Sequence, residues 1–398
     1  MENRINVLLI HNLYQHAGGE DVVFRAEKEL LEKNDRFNVY DIIFDNKRFN
    51  SGNFLQKFYY SLFIIFNPFS FWKVYKFVKQ HKINVVHVHN YFYEATASVF
   101  WGAKLAGAKT IMTVHNYRLV CVGGNLLKKG KICESCVQSK WSLNGIVNQC
   151  FQQSFVKSLL LTSSNLVNRI IGSNRNKVDY YLTLTPFMSH MLLSSKLNIP
   201  ENKILVKPNF MKDYSKASRG LRESYYLFVG RLSHEKGIIQ LLKSWSNIDK
   251  PLYIIGEGDL KEEVLLLSEK NPHIKLLGPQ PKEKVIEHMT RCKALVFPSI
   301  CYEGMPLTIL EAKNCGTVVI AKRTKNIEGL LNENKDGLFY EDNIYEALYR
   351  FEKMSQEVNL EMMQNARQDF ENRFTEVVTT DYLSQVYNKA LSSNHSTS

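Results

Sequence analysis

No stretch of this sequence stays apolar for long enough to cross a bilayer. The longest, SLFIIFNPFSFW at residues 61–72, is broken by Asn67-Pro68 and falls short of the roughly 20 residues a spanning helix needs. Low-complexity tracts are missing too, and the composition is that of a folded globular chain. Met1-Glu2-Asn3-Arg4 followed by a single strand-length apolar run lacks the layout of a signal peptide. A cytoplasmic protein is expected, held peripherally on the inner face of the plasma membrane.

Acidic residues are scarce in the first half. From Ser51 to Leu205 there are 18 Lys/Arg against 4 Asp/Glu, and with a whole-chain charge of +12 the remainder sums to about −2. Such a region suits nucleic acid, an anionic membrane or a phosphorylated substrate. No recognisable nucleic-acid motif accompanies it, so no nucleic-acid partner is expected. In FLQKFYYSLFIIFNPFSFWKVYKFVKQHK (54–82), aromatic rings and lysines are interleaved. That mixture fits an anionic membrane surface, where rings sit at headgroup depth and ammonium groups meet lipid phosphate. A large core with its lysines turned to water is the alternative.

At 398 residues the chain exceeds one ordinary core, and two domains are expected. Apolar runs alternate with helical patterns: INVLLIHN (5–12), NVYDIIF, INVVHVHN (83–90) and KTIMTVHN (109–116). Between the first two lies GGEDVVFRAEKELLEKN, whose Val22, Val23, Ala26, Leu30 and Leu31 recur at helical spacing. The pattern restarts after Lys207-Pro208-Asn209 with YYLFVGRL, LYIIGEGD, IKLLG, ALVFPS and TVVIAKR. Each half therefore predicts a parallel sheet covered by helices, a pair of doubly wound Rossmann-like α/β domains facing a central cleft. The boundaries expected are 1–205, with a cysteine-containing insertion at 117–150, then 206–374, with the linker in 206–224. A final helix occupies 375–398.

Candidate site residues gather at strand ends, where doubly wound sheets bind ligands. Gly18 and Gly19 follow the first strand; His115 closes the fourth. The turn HAGGEDVV lacks the three-glycine dinucleotide fingerprint, which disfavours a nicotinamide site. In VGRLSHEKGI, Arg231 and Lys236 stand at a strand end and at the entry to a helix near Lys236-Gly237, an arrangement that binds phosphate or leaves two surface cations beside a turn. In ICYEGMPLTILEAKNCGT (300–317), Pro306 fits a first helical turn, Glu303 lies in the loop before it, and Glu311 follows about 7–8 Å along the axis. Two carboxylates spaced along an anion-binding helix start could grip hydroxyls on either side of a diphosphate, unless Glu311 is merely a solvated helix residue.

The set HAGGED, VHVHN, MTVHNYRLVC, KPNF, FVGRLSHEKG, EGMPLTILEA and DGLFYED resembles, in order and over most of the chain, the retaining glycosyltransferases of family 4 with the GT-B fold. The resemblance implies transfer of a hexose from a nucleotide-diphosphate sugar to a polysaccharide, lipid-linked oligosaccharide or glycolipid, with retained anomeric configuration and no metal required for catalysis. It implies that Arg231 and Lys236 hold the donor diphosphate. Glu303 would orient the sugar with the backbone of Gly304, Met305, Pro306 and Leu307, and Glu311 would bind the ribose. Gly18 and Gly19 would approach the donor, and His115 would face the reacting sugar. The last helix would cross back to the first domain. A nucleotide-sugar epimerase and a non-catalytic sugar-nucleotide-binding subunit are the rival readings.

Four of the seven cysteines, Cys121, Cys133, Cys136 and Cys150, fall in the insertion. A C-x-x-C hairpin flanked by two more cysteines in a reducing compartment is a candidate structural zinc site, with free thiols and an iron–sulfur cluster as alternatives. Similar four-cysteine insertions occur in a subset of the resembled family. Cys292, Cys301 and Cys315 read as structural.

Overall fold

Strand β1 (Ile5–Leu13) owes its position to an uncharged run whose Val7, Leu8, Leu9 and Ile10 are all fully buried, the mark of a strand covered on both faces. The computed structural model describes residues 4–13, 18–46, 63–214 and 222–393. It divides into two compact units. One comprises Met1–Leu126, Cys133–Asn209 and Val377–Ser398, the other Leu127–Ile132 and Phe210–Glu376.

In the first unit β1 is joined by β2 (Phe37–Asp45), β3 (Val85–Val88), β4 (Lys109–Val114), β7 (Tyr180–Thr183) and β8 (Ile204–Val206). All neighbours are parallel, in the order β2-β1-β3-β4-β7-β8. This is a doubly wound order whose direction reverses between β1 and β3, the place where such sheets open a ligand crevice. Strands β5 (Leu127–Lys128) and β6 (Lys131–Ile132) form a small antiparallel hairpin. The four-residue β7 and three-residue β8 are too short to stand out as sequence periodicity.

Helix α1 (Gly19–Glu32) buries most of its apolar stripe together with two carboxylates. Val22 is 57% exposed, whereas Asp21 and Glu27 are buried beside Val23, Phe24, Leu30 and Leu31. Helix α2 (Pro68–Gln80) begins where Asn67 Oδ1 accepts the amides of Phe69 and Ser70 and Pro68 supplies a preset φ at the first turn. The C-terminal helix Glu376–Ser392 packs Leu383, Val386, Tyr387 and Ala390 against Val7, Leu9, Phe37, Val85 and Ile111 of the first unit's sheet. Lys207 is also buried in this unit, against Glu27, so the first unit extends past the sequence-derived boundary at 205 to Asn209. Part of the expected linker, 215–221, and the first part of the basic aromatic stretch, 54–62, lie outside the described residues.

The second unit carries β9 (Tyr226–Val229), β10 (Leu252–Ile255), β11 (Ile274–Gly278), β12 (Ala294–Phe297), β13 (Val319–Lys322) and β14 (Gly337–Tyr340). Their order is β11-β10-β9-β12-β13-β14, again all parallel. Numbered within the unit this is 3-2-1-4-5-6, the dinucleotide-fold order, with its reversal between β9 and β12. Helices α3 (Ile238–Trp245), α4 (Lys282–Arg291) and α5 (Leu307–Asn314) follow β9, β11 and β12. Leu241, Leu242 and Trp245 of α3 pack with Tyr226, Ile254 and Val296 in one core.

Candidate active site

At the reversal point of the second sheet, the loops leaving β9 and β12 are tied together. Ser299 Oγ and the Ile300 amide both donate to the Glu235 carbonyl, at 3.1 and 3.0 Å, and Ser233 Oγ donates to the Glu235 carboxylate at 2.7 Å. A short turn, His234–Lys236, leads into α3 through Gly237 at φ +69°. A Cβ there would lie 2.0 Å from the Pro298 carbonyl oxygen, so the close approach of the two loops requires glycine. This clamp delivers Lys236 Nζ to 2.7 Å from Glu303 Oε2, both side chains largely buried. Burial alone would lower the Lys236 ammonium; the Glu303 carboxylate carries it above its ordinary value. Asn326 Nδ2 donates to the Glu303 carbonyl at 2.9 Å and holds the loop.

Two distant sequence candidates, Lys236 and Glu303, thus become one ion pair. Arg231 lies beyond the end of β9 in the same loop, exposed. Gly304 is half-buried and Met305 buried; Pro306 is the residue before α5, whose helical turn opens at Leu307. Glu311 is not solvated. It is buried on α5 and paired with Lys282 of α4. Burial pushes its carboxyl up and Lys282 opposes that rise.

In the first unit, His115 follows β4 and lines a small open cavity with His89, Asn90, Phe92, Asn116 and Arg118. Its Nε2 lies 3.0 Å from His89 Nδ1, and His89 Nε2 lies 3.2 Å from Glu27 Oε1. The other Glu27 oxygen pairs with Lys207. His87 touches Tyr387 Oη and Thr113 Oγ1, each at 2.8 Å. Burial would raise the Glu27 carboxyl, but Lys207, His89 and His87 hold it well below the carboxylate range. Burial holds all three imidazoles below their ordinary value, His87 and His115 far below. Gly18 caps α1, its amide donating to Asp21 Oδ2 at 3.0 Å, while Asp21 Oδ1 meets His11 Nε2 at 2.6 Å. Gly19 is exposed at the first helical position. Asn116 Nδ2 donates to Glu20 Oε1 at 2.5 Å.

Sequence reasoning singled out His115 and passed over Glu27, His87, His89 and Lys207. A signal was present. The doublet His-Asn recurs at 11–12, 89–90 and 115–116, the ends of three adjacent strands. The asparagines brace the loops: Asn12 Oδ1 accepts the amides of Glu94 and Ala95, and Asn90 Nδ2 donates to the Asn12 carbonyl.

The four insertion cysteines lie in the first unit and form no disulfide with one another. Burial and then the neighbouring sulfurs of Cys121, Cys150 and Cys133 push the Cys136 thiol up to about 11. Four thiols in one neighbourhood match a tetrahedral S4 donor set in chemistry. Among the described residues, however, the group of three or more ligating atoms lying within 4.8 Å of one another is Glu27, His87 and His89. Cys292 and Cys301 are buried, and burial pushes both thiols up to about 12. On α2, Val74 and Val78 are buried, while Phe69 (62%) and Trp72 (51%) are exposed beside Lys73, Lys76 and Lys79. No helix among the described residues is long and apolar enough to cross a membrane.

The fold defines a class. Both units are doubly wound parallel α/β, the architecture of GT-B glycosyltransferases, and the lipopolysaccharide outer core galactosyltransferase WaaB superposes with a TM-score of 0.66 at 15% identity over 97% of this chain and 100% of that one. Residues 211–369 match the family of glycosyl transferases group 1. Among curated relatives, an uncharacterized glycosyltransferase of Methanocaldococcus jannaschii is 32% identical over 122 residues, 30% of this chain and 34% of its own. An α-1,4-N-acetyl-D-galactosaminyltransferase of Campylobacter jejuni, named for an acceptor carried on PP-undecaprenol, is 31% identical over 144 residues, 34% of this chain and 40% of its own. The chain spans about a third of the length of the curated relatives it matches.

Proposed function

We propose that the protein transfers a hexose from a nucleotide-diphosphate sugar to a polysaccharide, lipid-linked oligosaccharide or glycolipid acceptor, with retention of anomeric configuration. The observation that carries this reading is the Lys236–Glu303 pair, clamped at the reversal point of a 3-2-1-4-5-6 sheet beside the start of α3. A cation and a carboxylate at that point meet the two ends of such a donor: ammonium to phosphate, carboxylate to sugar hydroxyl. Arg231 and Lys236 neutralise charge growing on the leaving diphosphate, with no metal required there. The sugar–phosphate bond breaks, the acceptor oxygen bonds the same carbon from the face the diphosphate leaves, and its proton passes to a donor phosphate oxygen. Glu303 and the backbone of Gly304, Met305 and Leu307 orient the sugar; Glu311 binds ribose once Lys282 is displaced or shared. Gly18 and Gly19 approach the donor, and His115 serves the reacting sugar.

The relative named for a PP-undecaprenol-linked acceptor supports the lipid-linked class. The exposed Phe69 and Trp72 among the lysines of α2 support contact with an anionic membrane from the cytoplasmic side. Cys121, Cys133, Cys136 and Cys150 would hold one structural zinc as thiolates, which would brace the insertion. Metal analysis of reduced protein should return about one zinc per chain, and none would remove that site.

The deciding experiment incubates the purified chain with a panel of nucleotide sugars and a membrane lipid extract, following nucleotide diphosphate release and label entering lipid. One donor should release diphosphate and label lipid, and Lys236→Ala and Glu311→Ala should lose both. Conversion of a donor to its isomer without release would install the epimerase, and binding of a donor without turnover in any extract would favour a non-catalytic subunit.

A further inference from the structure

Resting on that reading, we propose that Glu27, His89 and Lys207 are positioning residues that fix the tautomer of His115, so that its Nδ1 serves as a hydrogen-bond acceptor for a sugar hydroxyl in the cavity of the first unit. The chain of contacts leaves one arrangement of protons. Glu27 is ionised, so it only accepts, and His89 Nε2 must donate to it. A neutral His89 then has a bare Nδ1, which must accept. The group facing it is His115 Nε2, at 3.0 Å, which must carry the His115 proton. A neutral His115 has no second proton, so Nδ1 is its lone-pair nitrogen.

The cation at the far end matters as much. Glu27 is fully buried, and without Lys207 it would protonate or unfold its surroundings. A protonated Glu27 could donate to His89 and reverse every proton along the line. Lys207, itself 1% exposed, removes that option while leaving the pair with no net charge. Glu27, His87 and His89 also have the spacing of a metal site, yet the ammonium already supplies the positive charge a metal would bring. The groups facing this line from the surrounding elements are His11 and Asp21 on one side and His87 with Tyr387 on the other. The hydroxyl recognised is the chemistry of a hexose or of a glycan acceptor, and His115 reads it as an acceptor only.

The test uses the full chain labelled with 15N-histidine and long-range proton–nitrogen correlation of the imidazoles, beside transfer assays. His115 should be protonated on Nε2 in the wild type. His89→Phe keeps ring volume and the Glu27–Lys207 pair but removes both bonds of the line. It should shift His115 to a mixture of tautomers and lower kcat/KM on the order of 10- to 100-fold with the melting temperature held. His89→Asn, which restores an acceptor near the Nδ1 position, should recover part of both. A wild-type His115 protonated on Nδ1 would overturn the proposal, and so would loss of the tautomer in His89→Phe with an unchanged transfer rate. A chain inert to every donor yet protonated on Nε2 would overturn the transferase reading while upholding the line of protons.

Discussion

Lowering the pH from 7.5 to 5.5 should destabilise the first unit by several kcal/mol, because His87, His89 and His115 are folded in neutral form. Their folded pKa values lie below the ordinary 6.5 through burial, which outweighs the opposing Glu27 carboxylate at His87 and His89 and is reinforced at His115 by His89 and Lys207. The unfolded chain therefore binds more protons below pH 6.5, and stability falls as the pH falls. At pH 5.5 an unfolded histidine is about ten-elevenths protonated. Each folded histidine that stays neutral then costs about 1.4 kcal/mol, roughly 3 kcal/mol for His87 and His115 together, with His89 adding less. The depressed carboxylates Glu27 and Asp21 work in the same direction only further down, because their contribution is lost below their unfolded values near 4. For a unit of this size, about 3 kcal/mol corresponds to a melting shift of about 6–12 °C. Scanning calorimetry at the two pH values gives the shift. Hydrogen exchange on peptides covering β3 and β4 assigns it to the first unit, separating it from His288 of the second, which burial also lowers. A first-unit transition that moves by less than about 2 °C would refute the claim that these imidazoles are buried neutral.

Lys207→Ala should cost about 3–5 kcal/mol by leaving the Glu27 carboxylate buried without its cation, whereas the pair Glu27→Leu with Lys207→Met should recover most of that loss in a denaturant titration while abolishing the fixed His115 tautomer. Gly237→Ala should destabilise the second unit by more than 1 kcal/mol, since φ +69° and a Cβ 2.0 Å from the Pro298 carbonyl both oppose it; a variant with wild-type stability would mean the β9 and β12 loops are not clamped. Ending the chain after Glu376 removes Leu383, Val386, Tyr387 and Ala390, about 5–8 kcal/mol of apolar burial, so the first unit should lose its cooperative transition in near-ultraviolet circular dichroism.

What could be read from sequence divides along the range of the interactions. The longer strands were legible because each run is mostly apolar, and strand ends mark ligand sites in doubly wound sheets. That rule and the cation at a helix entry singled out Glu303 and Lys236, which the structure pairs. On α1, Val23, Leu30 and Leu31 are buried as the spacing predicts, but the buried carboxylate was missed for the opposite reason. Val22 lies in the stripe yet is exposed, while Glu27 is fully buried against Lys207, 180 residues away in the chain. Nothing local announces such a pair; a carboxylate turns inward only when a cation and hydrogen-bond donors await it. Glu311 repeats the lesson at shorter range, its cation 29 residues upstream on α4. The clue that was available lay elsewhere in the same sheet. Three His-Asn doublets at the ends of β1, β3 and β4 bring His11, His89 and His115 to one edge, and buried imidazoles need an ordered line of donors and acceptors. A line of that kind must end on a group that only accepts, and in this unit Glu27 of α1 is that group. The charged residue on the helix and the repeated histidines on the strands are thus two halves of one requirement.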